Sequence, residues 1–159
     1  MRILVVLSLL ILPPASGAQE TDPKKREAVK SALTDLAQGK GDLEKLRVTW
    51  NDLHGLHGGL RLTIQGDGKI TQEVVRAEAG KPKEKVEAKD LKELIDKLIA
   101  HEAWAQRVPE RVAVPDESRA TLTIAVGADS ATVWEWYNDL ARNKRLVEIR
   151  DLMQKIAWK

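Results

Sequence analysis

Asp52, His54 and His57 stand close together in the glycine-rich run Asp52-Leu53-His54-Gly55-Leu56-His57-Gly58-Gly59. Imidazole and carboxylate are ligands for zinc, copper or nickel, and two histidines three apart can chelate one ion in a turn. A fourth ligand has to come from elsewhere, and His101 or Glu102 is the nearest in kind. The competing reading is a surface loop whose histidines are merely solvated. His101-Glu102 does not open a zinc-protease helix, because position 105 is Ala where the second histidine belongs.

The second chemical feature is Trp134 and Trp136. Two residues apart in a β-rich run, they face the same side of a strand. Side-by-side indoles can form a platform for a sugar ring or an aromatic side chain, and Trp is favoured at binding hot spots. The chain has five Trp and no Phe, so it must use indoles for bulk, and a core role is the stronger reading. That reading puts Val133 and Glu135 on the other face, with Glu135 towards solvent. Asp116-Glu117, with Arg111 and Arg119 nearby, invites acid–base chemistry, but adjacent loop carboxylates are usually solvated. Asp67 lies between two glycines and reads as a turn residue. No serine elbow, phosphate loop or dinucleotide fingerprint occurs in the sequence. The absence of cysteine removes disulfides, thiolate metal sites, a cysteine nucleophile and a lipid anchor on cysteine.

These residues must be positioned by elements that hydrophobic periodicity locates. Ala28, Val29, Ala32, Leu33 and Leu36 make a narrow stripe on a helix over Lys24–Gln38, and its many alanines predict loose docking. Leu46, Val48 and Trp50 alternate with polar residues as in a half-buried strand. Leu60, Leu62 and Ile64 alternate likewise, and Gly66-Asp67-Gly68 turns the chain into a second run over Lys69–Val75. Leu91, Leu94, Ile95, Leu98 and Ile99 line one face of a helix predicted over Ala88–Trp104. Thr121–Val126 and Ala131–Tyr137 read as another hairpin, and Leu146, Ile149, Met153 and Ile156 fall at helical spacing. The order α-β-ββ-α-ββ-α predicts an α+β fold, an antiparallel β-sheet covered by helices in a two-layer sandwich.

The stretch Leu62-Thr63-Ile64-Gln65-Gly66-Asp67-Gly68-Lys69-Ile70, the helix over Leu91–Ile99, and Pro115-Asp116-Glu117 leading to Leu122-Thr123-Ile124 and a Trp-containing strand resemble small exported bacterial domains of unknown function. The resemblance spans residues 45–158 and implies a hairpin-helix-hairpin-helix pattern without bringing an activity. Some such domains have a cysteine-rich approach to the first strand, whereas this chain has histidine and glycine there.

Met1-Arg2, the apolar run Ile3–Leu12, Pro13-Pro14 and the small residues Ala15–Ala18 have the layout of a secretory signal peptide, with cleavage expected after Ala18. The run is shorter than the roughly 20 residues that span a bilayer. The expected organisation is therefore a signal peptide over 1–18, a polar leader and N-terminal helix over 19–41, and a single α+β domain over 42–159. The destination is the periplasm or the medium. The net charge of +2, with both signs interspersed, predicts no nucleic-acid partner. No cofactor and no membrane span after cleavage are expected. The leading functional expectation is a non-enzymatic binding or inhibitor-like domain that acts on an envelope or extracellular macromolecule. The alternatives are a metal-binding protein or metal-dependent enzyme using Asp52, His54 and His57, and a glycan binder using Trp134 and Trp136.

Overall fold

The computed structural model describes residues 22–54, 56–107, 111–112 and 114–159, so the expected signal peptide lies outside the described residues. Among the described residues five strands form one antiparallel sheet: β1 (Leu46–Asn51), β2 (Gly59–Gln65), β3 (Ile70–Val75), β4 (Arg119–Val126) and β5 (Asp129–Trp136). Their spatial order is β3-β2-β1-β4-β5. The helices are α1 (Pro23–Ala37), α2 (Ala88–Ala100) and α3 (Lys144–Ala157), with 3-10 turns at Leu43–Lys45 and Tyr137–Arg142. The α+β class read from the sequence is the one the chain forms. Among the described residues no helix is long and apolar enough to cross a membrane.

Alternation decides which face of the sheet is covered. Leu46, Val48 and Trp50 of β1, Leu60, Leu62 and Ile64 of β2, and Ala120, Leu122 and Ile124 of β4 are all buried in one core with the helices. On the opposite face the register aligns Thr71, Thr63, Thr49, Thr123 and Thr132 in a single row across all five strands. Two cross-strand hydroxyl pairs join members of this row, Thr49 with Thr63 at 3.0 Å and Thr123 with Thr132 at 2.9 Å. Threonine suits such a face because it keeps β-branched stiffness while presenting a polar atom.

Local signals set the element ends. The Asp22 carboxylate accepts from the Lys24 N–H at 2.9 Å, and Pro23 follows at the first helical position, so α1 starts there. The β2–β3 turn needs both its glycines. Gly68 has φ +87°, and a Cβ on Gly66 would lie 1.6 Å from the Leu43 carbonyl oxygen. Asp67 Oδ1 accepts from the Lys69 N–H at 2.8 Å, which makes it the turn residue expected.

Two expectations need correction. The alanine-rich stripe of α1 does not dock loosely, for Val29 and Leu33 are wholly buried. They fit because the sheet beneath offers small residues, Ala120 on β4 with Ala131 and Val133 on β5, where α1 lies. The helix predicted to reach Trp104 stops at Ala100. The chain then turns through Glu102, at φ +45°, and so delivers Ala103 and Trp104 to the core.

Candidate functional site

Asp52 closes the base of the β1–β2 hairpin. Its Oδ1 accepts from the Leu60 N–H at 2.6 Å and its Oδ2 from the Trp50 indole N–H at 2.9 Å. Both oxygens thus satisfy donors within the fold. The His54 and His57 rings stack at 4.7 Å between centroids. His54 Nδ1 accepts from the Leu56 and His57 backbone N–H groups, each at 3.2 Å, so that nitrogen holds the tip in shape. The sequence motif therefore builds a tight turn, with a His54–Gly58 bridge at its neck. Among the described residues no group of three or more His, Asp or Glu side chains is arranged to hold a metal ion. His101, the other histidine considered, sits instead between α2 and α3, its Nε2 3.0 Å from Glu148 Oε2.

Trp134 and Trp136 share a face of β5, as their spacing requires, and it is the face opposite the helix-covered core; Trp136 is nevertheless buried there, as the core reading expects, and Trp134 is half-buried. Val133 and Ala131 point into the core opposite Leu122 and Ile124. Glu135, expected towards solvent, consequently takes the next core-side position and is only 9% exposed. Its Oε1 accepts from the Trp136 N–H and its Oε2 from the Asn143 side-chain amide at 3.0 Å. The reason is the closeness of α1: the core side of β5 takes Ala and Val, and the indoles go to the other side.

The two indoles do not form a flat platform. Their rings meet edge to face at 81°, with centroids 5.2 Å apart. The Arg119 guanidinium lies 3.9 Å from the Trp134 ring centre and 4.6 Å from that of Trp136. Arg111 stands 4.8 Å from the Trp136 ring, which is 5% exposed. Cation–π stacking thus covers the ring faces that a sugar would use.

Arg111 also organises the Asp116-Glu117 segment. It donates to both oxygens of Glu117, at 2.7 and 2.9 Å, and to Asp139 at 3.0 Å. The hydrogen bonds from Arg111 hold the Glu117 carboxyl below the usual range, opposite to what a general acid needs. Asp116 is exposed and adopts φ +62°, so the adjacent carboxylates do separate jobs.

The surface that sequence reasoning missed lies at one end of the molecule. His57 from the hairpin tip, Pro115–Ser118 from the long connection, and Tyr137-Asn138 after β5 line a single depression. The large hydrophobic residues exposed among the described residues belong to these same three segments: Leu56 (66%), Val112 (90%), Val114 and Tyr137. The available signal was weak. Val112 and Val114 are apolar residues stranded between prolines, without a periodic partner. No family model, curated protein or solved structure matches this chain.

Proposed function

We propose that this chain is a non-enzymatic, exported binding domain of the inhibitor-like kind, which grips another envelope or extracellular protein with the loop end of its sheet. The observation that carries the reading is the clustering of Leu56, Val112, Val114 and Tyr137 on segments that meet around one depression. Exposed apolar side chains gathered on one end of a rigid sheet favour protein recognition over simple solvation. The scaffold is suited to presenting them. Asp52 pins the hairpin base, and the Arg111–Glu117–Asp139 network ties the long connection to the turn after β5. Preorganised loops lose little freedom on association, which raises affinity for a given contact area.

The test is crosslinked co-purification of the tagged, processed protein from its native envelope fraction. The wild type is compared with a triple variant, Leu56→Ser, Val112→Ser and Tyr137→Ser. A stoichiometric protein partner held by the wild type and lost by a variant of equal thermal stability is the expected result. A partner retained by the triple variant would move recognition to another surface.

A further inference from the structure

The N-terminus of α3 opens onto a cleft of about 530 Å3 walled by Arg107, Trp136, Lys144 and Arg145. Among the described residues its lining carries five cationic side chains against two carboxylates. Both carboxylates have partners already: Asp139 accepts from Arg111 and Arg142, and Glu135 from the Trp136 backbone and Asn143. The cations are less evenly matched. Arg107 pairs with Glu102 at the rim. Arg145 instead donates through Nη1 to the carbonyls of His101, Glu102 and Ala105, the last at 2.8 Å. Neither Arg145 nor Lys144 has a carboxylate at ion-pair distance among the described residues. Burial, and then the like charge of Arg107, depress the Arg145 pKa, and the more distant charges of Glu102 and Glu135 offset this only in part.

The backbone adds to this. The first amides of a helix have no intrahelical acceptor. Here the Asn143 side chain takes the Leu146 N–H at 3.2 Å, and Lys144 and Arg145, the first two residues of α3, both line the cleft. The positive end of the α3 dipole lies there too. Independently, Trp136 is 95% buried against the cleft, and its indole Nε1 is buried with no acceptor among the described residues. A buried N–H without a partner is uncommon in a folded protein.

We propose that this cleft is a binding site for a phosphate group, held by Arg107, Lys144 and Arg145 together with the first amides of α3. A carboxylate needs only one guanidinium fork. Two guanidiniums, an ammonium and a helix N-terminus sharing one cleft suit a dianion with several oxygens. Asn143 is a positioning residue, since its amide bridges Glu135 to the start of α3. None of the residues that hold the phosphate belongs to the apolar loop end, so either assignment can fail without the other.

The experiment is a titration of the 15N-labelled protein with sodium phosphate, and in parallel with sodium chloride, at constant ionic strength. Saturable shifts confined to the Lys144 and Arg145 amides and the Trp136 indole N–H are expected with phosphate and not with chloride. The double variant Arg107→Gln, Lys144→Gln should weaken phosphate binding about tenfold or more, the usual scale for losing charge-assisted hydrogen bonds. Both side chains are exposed, and Arg145 is left in place because it holds the turn after α2. Flotation with phosphatidylglycerol vesicles, abolished in the double variant, would assign the phosphate to a lipid headgroup. Phosphate shifts without flotation would assign it to a soluble ligand. Shifts scattered over all basic residues, identical shifts with chloride, or undiminished affinity in the double variant would overturn the proposal.

Discussion

Asp52 shows how one side chain can mimic a ligand and serve as a staple. Its oxygens satisfy the Leu60 N–H and the indole of the wholly buried Trp50. Asp52→Ala leaves both donors unpartnered, so urea denaturation should show a loss of about 1–3 kcal/mol. Added zinc should leave the wild-type midpoint unmoved; a clear rise would restore the metal reading of Asp52, His54 and His57. Glu117 gives a pH-dependent case, its side chain 2% exposed and gripped by Arg111. Because its folded pKa is depressed, its contribution is present above the unfolded value, about 4.3, and is lost as pH falls through the folded value. The melting temperature of Glu117→Gln should therefore lie furthest below wild type at neutral pH. The gap should close as pH falls below about 4, whereas a gap independent of pH would show that the carboxylate charge contributes nothing.

At the scale of elements, α1 and the edge of β5 matter most. Leu33 of α1 is wholly buried, and Leu33→Ala should cost about 2–5 kcal/mol, as core truncations do. A loss below about 1 kcal/mol would mean that α1 docks as loosely as its alanine stripe predicts. β5 is an edge strand, and such edges invite pairing with other chains. Gln106 blunts it: its side-chain amide donates to the Trp134 carbonyl at 2.9 Å and accepts from the Trp134 N–H at 2.8 Å, as a neighbouring strand would. Gln106→Ala should raise the dimer fraction measured by light scattering, with little change in melting temperature. A strictly monomeric variant would show that the edge is protected by something else. This role could not be seen in the sequence, where Gln106 is one polar residue in a loop.

Across the whole molecule, helices and sheet share one core, from Val29 of α1 to Ile156 of α3. Unfolding followed by far-UV circular dichroism and by tryptophan fluorescence should therefore coincide, as for a single cooperative unit. An early helical phase would instead detach α1, as the expected boundary at residue 41 would have it. What the sequence determined by itself is local. Alternation located the strands, helical spacing located α2 and α3, and Gly66-Asp67-Gly68 placed the turn, because each depends on near neighbours in the chain. Orientation and partnership, by contrast, were set only once the chain had packed. The side of β5 that carries its indoles depended on how closely α1 packs over it, since the spacing of Trp134 and Trp136 fits either face. The fate of the Asp52 oxygens depended on Leu60 across a hairpin. The cleft at the start of α3 draws Arg107, Trp136 and Lys144 from three separate segments. No periodicity links residues that meet only after the chain has folded, so that cluster exists in three dimensions and not in the order of the letters.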